Sequence, residues 1–171
     1  MIYFTSDLHL GHNAAIRMCE RPFATVEEMN RTLIANINAR VKQHDIIYIL
    51  GDIAHRTPVE EVNQMIAQIN GKKILIRGNH DKKYDPSLFD GIYDFLEVNF
   101  EGHSISLMHY PMEEWPKSRY GSLHLHGHQH NKPEYNREQK AQGIFRYDVG
   151  VDANGYCPVS WDEILQFMEN E

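Results

Sequence analysis

Three short apolar runs alternate with two amphipathic stretches over the first half of this chain, and that alternation restricts the fold more than any other feature. Ile2 to Ser6, Asp45 to Leu50 (D-I-I-Y-I-L) and Ile74 to Arg77 read as strands. Between them, Val26 to Val41 carries Met29, Leu33, Ile34, Ile37 and Val41 on one helical face. Pro58 to Asn70 does the same with Val59, Val62, Met65, Ile66 and Ile69. Thr25 and Glu28 form a capping-box pattern at the first helix. At the second, Thr57 is the expected N-cap, with Pro58 in the first position, Glu60 closing the box and Asn70-Gly71 as the stop. A β-α-β-α-β order implies parallel strands joined by right-handed crossovers. The second half changes character. Tyr93 to Phe100, Glu101-Gly102 and His103 to Met108 read as a hairpin. Leu123 to His126 and Ile144 to Val151 read as further strands, and Ser160 with Glu163 caps a last helix carrying Ile164, Leu165, Phe167 and Met168. The expected class is α/β, with two packed mixed sheets, one parallel and one antiparallel in origin, flanked by helices in a single domain over residues 1–171.

The polar chemistry collects where these strands end. Five clusters stand there: Asp7-Leu8-His9, Gly51-Asp52, Gly78-Asn79-His80-Asp81, Met108-His109 and Gly127-His128-Gln129-His130. Functional groups of open α/β sheets gather at the carboxyl ends of strands. Residues two apart leaving one strand, such as Asp7 with His9 or His128 with His130, are expected to project to the same side. Gly51, Gly78 and Gly127 permit sharp turns and close backbone approach. Mixed carboxylate, imidazole and amide oxygen donors suit Mn²⁺, Fe, Zn²⁺, Ni²⁺ or Co²⁺ rather than a thiolate zinc site. Asp7, His9, Asp52, Asn79, His109, His128 and His130 are too many for one ion, and two ions sharing a carboxylate would use them all.

Bulk properties narrow the partners. The net charge of −7 argues against a broad surface for long duplex nucleic acid, although bound cations would reverse the field locally. No apolar run approaches the ~18–20 residues that span a bilayer. No signal-peptide pattern stands at the start, and the two cysteines, Cys19 and Cys157, form no CxxC pair, so a reducing cytoplasm is the expected location. Eleven histidines in 171 residues make the placement of imidazoles the main question.

Taken in order, D-L-H, G-D, G-N-H-D, M-H and G-H-Q-H resemble the pattern of the calcineurin-like metallophosphoesterase superfamily, DxH, GD, GNH[DE], H, GHxH, from Asp7 to His130. The stretches F-T-S-D-L-H-L-G-H-N, R-P-F, I-L-I-R-G-N-H-D, L-H-L-H-G-H and V-G-V-D-A-N-G-Y-C-P-V-S look like a small single-domain bacterial and phage branch of it. The resemblance implies a four-layer α/β/β/α sandwich. It also implies two divalent ions, Mn²⁺ foremost, with Asp7, His9 and His130 on the first, Asn79, His109 and His128 on the second, and Asp52 bridging. A metal-bridging hydroxide would attack phosphorus. His80 would protonate the leaving oxygen, with Asp81 orienting its ring. Many relatives continue the second motif as GDxxDR; here it reads Gly51-Asp52-Ile53-Ala54-His55-Arg56, so Arg56 is carried over as a phosphate contact without its usual acid. Little of the chain is left for a cap domain, which favours an open cleft and a phosphodiester or nucleotide-type substrate. The alternative is a non-catalytic protein-binding scaffold on the same fold. Members with that role lose ligands or the GNHD histidine, and this chain keeps both.

Other residues carry competing readings. His12 and Asn13 either face the substrate or start a helix. His124 and His126 alternate with Leu123 and Leu125, which points to the core or to support of a ligand, most plainly for His126. Tyr110, Trp115 and Tyr120 read as core aromatics, with base stacking as the other use. His44 and His103 flank turns and are expected at the surface, and Cys157 is expected as a buried thiol.

Overall fold

The computed structural model describes residues 1–170. Strands β1 (Ile2–Thr5), β2 (Ile46–Ile49), β3 (Lys72–Ile76) and β4 (Gly91–Tyr93) pair in parallel, and β9 (Val159–Ser160) runs antiparallel beside β1, in the order β4-β3-β2-β1-β9. The second sheet joins β5 (Phe95–Phe100), β6 (His103–Met108), β7 (Leu123–His126) and β8 (Arg146–Asp148) in that order. Its β5–β6 hairpin is antiparallel, and β6, β7 and β8 are parallel. The second half is therefore mixed rather than antiparallel, because longer connections intervene before β7 and β8 and allow the chain to return in the same direction.

The helices are α1 (Asn13–Met18), α2 (Val26–Arg40), α3 (Val59–Ala67), α4 (Glu134–Ala141) and α5 (Trp161–Glu169). Side-chain alternation in the strands sorts two cores. Tyr3, Ile47, Ile49 and Leu75 pack with Leu33 and Ile37 of α2 and Val62 and Ile66 of α3. Phe4, Tyr48, Leu50 and Ile76 face the other way and meet Ile105, Leu107, Leu123 and Leu125 of the second sheet. Fully buried side chains such as Leu33 and Ile47 each contribute about 1.5–3 kcal/mol. α5 closes the inter-sheet core with Trp161 and Ile164, and α4 covers the outer face of the second sheet, giving the expected four layers. Among the described residues, no helix is long and apolar enough to cross a membrane.

Several boundaries differ from the sequence reading. α3 is capped at Pro58 rather than Thr57, and it ends at Ala67, before Asn70. The Thr57 hydroxyl is buried and donates instead to the carbonyls of Leu10 and His55, both at 3.1 Å. Tyr93 belongs to β4 of the first sheet, so the run Tyr93 to Phe100 is divided between two sheets at Asp94. α2 keeps its Thr25 cap, with Glu28 N donating to Thr25 Oγ1, but the Glu28 carboxylate accepts from Ala24 N. α5 has the complete box between Ser160 and Glu163. α1 realises the helix start that was one of the two readings of His12 and Asn13, whereas α4 and β9 were not expected. α4 has no apolar stripe: its buried residues are Asn136 and Gln139, which bond to Asp148 and Arg146 on the polar outer face of the sheet.

Candidate metal centre

The carboxyl ends of β1, β2, β3, β6 and β7 meet on one side of the sandwich. Asp7, His9, Asp52 and Asn79 arrive from the first sheet, and His109, His128 and His130 from the second. Strand alternation is not what aims them. Asp7 (φ 58°), His9 (φ 51°), Asp52 (φ 54°), His128 (φ 74°) and His130 (φ 50°) all take left-handed backbone conformations. Each such turn in a non-glycine residue costs on the order of 1 kcal/mol and recurs at functional sites. The first pair is held by Asp7 N to Gly51 O and His9 N to Asp52 O, both 3.0 Å. Gly51 has φ +89°, and a Cβ there would stand 2.5 Å from His109 Nδ1. At Gly127 a Cβ would collide with Ser6 Oγ and the Asp7 carboxylate, so the second sheet's loop can approach Asp7 only without a side chain.

Two groups of donors result. Asp7, His9 and His130 each bring a potential ligand atom within 4.8 Å of the others, and so do Asp7, Asp52 and His109. Asn79 Oδ1 lies 3.0 Å from His109 Nε2 and 3.0 Å from His128 Nδ1, and those two nitrogens are 3.2 Å apart. Asp52 Oδ2 stands between the groups, 3.6 Å from His9 Nε2 and 3.6 Å from His109 Nε2.

The donor chemistry fits divalent cations. Asp7 Oδ1 and both ring nitrogens of His9 are buried with no hydrogen-bond partner. Such groups are costly to bury unless something else satisfies them. Burial pushes the Asp7 carboxyl up to about 8, with Asp148 and Asp52 adding to the rise against the opposing pull of His130. Burial, followed by the charge of His130, pushes His9 down to about 2, so its imidazole is neutral and has a lone pair to give. His109 Nδ1 lies 2.7 Å from Leu50 O and donates to it, which turns the Nε2 lone pair toward the Asn79 oxygen. Two lone-pair atoms facing at that distance are reconciled by a cation among them. Asp7, His9 and His109 are buried, His128 and His130 are half-buried, and Asn79 is exposed.

A cavity of about 440 Å³ opens over these groups, and its lining includes His80, His12, His55 and Arg56. His80 Nε2 is 4.0 Å from Asp52 Oδ2, and the His80 amide donates to Asp52 Oδ1 at 2.9 Å. Asn13 faces a separate hollow with Arg17 and Ala24 and begins α1, so of the two readings for that residue the helix-start one holds. Asp81 does not orient the His80 ring by hydrogen bonding. Its carboxylate accepts from Asp52 N, Gly78 N, Ile53 N and the Tyr84 hydroxyl at 2.8–3.0 Å, which occupies both oxygens and ties two loops together.

His124 is a core residue: Nδ1 donates to Ser106 O at 3.0 Å, and Nε2 accepts from Met112 N at 3.0 Å, pinning the loop behind His109. His126 bonds to Gly127 O and the Tyr135 hydroxyl, not to a candidate ligand. Trp115 is buried against His124, Tyr120 is 90% exposed, and the Tyr110 ring lies 4.6 Å from His128. His44 is at the surface as expected, whereas His103 is half-buried against Trp161. Cys157 is only partly buried.

Sequence reasoning missed Arg21, Asp148 and Asp152, all buried near these groups. Arg21 and Asp152 stand in the R-P-F and V-G-V-D-A-N segments, which carry no role in the sequence reading, and Asp148 directly precedes the second segment. Asp152 Oδ2 accepts from His130 Nδ1 at 2.7 Å. That bond, with Cys19 and Asp7 adding to it against burial, raises His130 to about 10; it also keeps one proton on Nδ1, so that a cation displacing the other proton meets the Nε2 lone pair.

Residues 1–139 match the family model for calcineurin-like phosphoesterases. An uncharacterized protein of Methanocaldococcus jannaschii is 34% identical over 174 residues, covering 98% of this chain and 91% of that one. The gene 66 protein of Mycobacterium phage L5 is 28% identical over 200 residues, covering 98% and 94%. Among solved structures, a protein of unknown function from Aquifex aeolicus superposes with a TM-score of 0.76 at 31% identity, covering 98% of both chains.

Proposed function

The chain belongs to the calcineurin-like phosphoesterase family, and from that premise we propose that it is a binuclear-metal-dependent phosphoesterase acting on a phosphodiester or nucleotide-type substrate. One observation carries this reading: the Asp52 carboxylate oxygen stands 3.6 Å from a ring nitrogen in each donor group, where a shared ligand belongs. Asp7, His9 and His130 would hold one ion, Asn79, His109 and His128 the other, and Asp52 would be shared. The same donors accept Mn²⁺, Fe, Co²⁺, Ni²⁺ or Zn²⁺, and Mn²⁺ is taken first on the two carboxylates and the amide oxygen. When bound, two divalent ions supply positive charge for the phosphoryl oxygens and acidify water near neutral pH. The reading takes residues 1–171 as one domain, since the candidate ligands come from both sheets.

The chain's own residues supply the rest. His80 faces the cavity and is held to the Asp52 carboxylate through its own amide, so its ring keeps register with the shared ligand and serves as proton donor to the leaving oxygen. Arg56 at the cavity wall offers a planar guanidinium for a phosphoryl oxygen, and His12 adds a ring N–H. Ala14, Ala15 and Met18 of α1 give the cavity an apolar wall, suited to the non-phosphate part of a diester or nucleotide. Cys19 and Cys157 are both free, which fits a reducing cytoplasm.

The test is turnover of bis(p-nitrophenyl) phosphate, p-nitrophenyl phosphate and pyrophosphate with each of the five ions. Mn²⁺-stimulated diester hydrolysis that a chelator abolishes is expected. No turnover with any ion would sink the reading.

A further inference from the structure

The first donor group is built around a single buried guanidinium. The Arg21 side chain is 0% exposed, in a turn that follows α1 and is closed by Arg21 N to Ile16 O at 2.8 Å. Its Nε donates to Asp152 Oδ1 at 2.9 Å and its Nη2 to Asp152 Oδ2 at 2.8 Å, a two-point clamp. Nη2 also donates to Asp7 O at 2.7 Å, and Nη1 donates to Leu8 O at 2.9 Å and to Met29 Sδ at 3.5 Å. Every N–H of the guanidinium is used.

The targets of these bonds are informative. The two carbonyls lie within the Asp7-Leu8-His9 turn, whose flanking residues both take left-handed backbone conformations. An unfavourable backbone shape persists only where its surroundings over-determine it, and Arg21 grips the peptide units of that turn. The other target, Asp152, accepts from His130 Nδ1 at 2.7 Å. One side chain thus connects the turn that carries Asp7 and His9 to the His130 ring, that is, all the candidate ligands of the first ion except the shared Asp52. Neither Arg21 nor Asp152 bonds to the second group, which is held differently: a backbone carbonyl fixes His109, and Asp81 ties Gly78, beside Asn79, to Asp52.

We infer that Arg21 and Asp152 are positioning residues that hold the Asp7-Leu8-His9 turn and the His130 ring in ligating geometry for one of the two divalent ions and not for the other. The inference rests on the metal-binding reading above. An ordinary structural ion pair would affect stability alone, whereas a positioning pair sets the affinity of one ion.

The experiment is Mn²⁺ titration by calorimetry, without substrate, of the wild-type protein, Asp152→Asn and Arg21→Lys, with folding followed by circular dichroism. Asp152→Asn should weaken one ion about 10–100-fold, the size of effect seen when the partner of a ligating histidine is removed, and leave the other within about threefold. Arg21→Lys should weaken the same ion, because one ammonium cannot clamp a carboxylate and two carbonyls together. Asp152→Asn strands a buried guanidinium, so the double variant Arg21→Met/Asp152→Leu removes the pair whole and guards against loss of fold. It too should lose one ion. Unchanged binding of both ions, equal weakening of both, or wild-type affinity in Arg21→Lys overturns the inference while leaving the phosphoesterase reading intact. A wild-type protein that binds no Mn²⁺ overturns both. Two bound ions without turnover on any ester removes the phosphoesterase reading alone.

Discussion

The imidazoles of His55 and His80 lie with their centres 3.9 Å apart and their planes inclined at 48°. His55 stands where many sequences of this pattern carry a second acid, and it meets His12 edge-on at 4.6 Å. Burial, followed by the charges of His80 and Arg56, holds His55 below the usual histidine range. His80 is therefore backed by a neutral ring rather than by an anion.

His80→Ala should keep its metal ions and lose about 10²–10⁴ in kcat, the usual reach of a positioned proton donor. His55→Ala should lose less, since it touches the His80 ring and not the leaving oxygen. Steady-state kinetics and elemental analysis of the same preparations check this. Ion loss in His80→Ala would make His80 a ligand instead.

Asp52→Asn and His128→Ala should differ in metal content. The shared carboxylate faces both groups at 3.6 Å, so its loss should deplete both ions, whereas His128→Ala should deplete one. Metal per chain after gel filtration reads the difference. Loss of a single ion from Asp52→Asn would end its shared role.

Asp81→Asn should act on stability. An amide keeps one acceptor oxygen and turns an NH₂ toward backbone N–H groups that the carboxylate now satisfies. The cost is about 2–3 kcal/mol, or roughly 4–12 °C in Tm for a domain of this size. Thermal melts of the metal-free protein test it. An unchanged melt with reduced kcat would return Asp81 to the reaction.

His124 should make the fold sensitive to acid. Burial is the chief cause that lowers it to about 4, well below the ordinary histidine range. The folded state therefore resists a proton that the unfolded chain takes up. The associated stability, on the order of 3 kcal/mol, is complete above pH 6.5 and is lost as pH falls toward 4, when protonation removes the acceptor for Met112 N–H. Melting midpoints of the metal-free wild type and of His124→Gln across that window should show the steeper fall in the wild type. Parallel curves would exclude His124 as the titrating group.

The strand runs of the first half, the α2 and α5 caps and the five strand-end clusters were all legible in the sequence, because each is a local pattern of apolar spacing or short polar motif. α4 was not, since a helix that buries Asn136 and Gln139 against a polar sheet face has no hydrophobic period to read. The division of Tyr93 from Phe95 was hidden too, because both strands have strand-like composition and only their pairing partners differ. The roles of Arg21 and Asp152 were hidden as well, because they lie 131 positions apart and nothing local relates them.

By itself, the sequence determined which side chains could serve as ligands, in what order, and that they stand at strand ends, since residue chemistry and strand periodicity are properties of the local chain. Only the tertiary structure decided that left-handed turns, not strand alternation, aim Asp7, His9, Asp52, His128 and His130. It also decided that Asp81 braces loops instead of a ring, and that His55 rather than an acid stands behind His80. These are relationships between segments distant in the chain, and they arise only when two sheets pack and bring their carboxyl ends together.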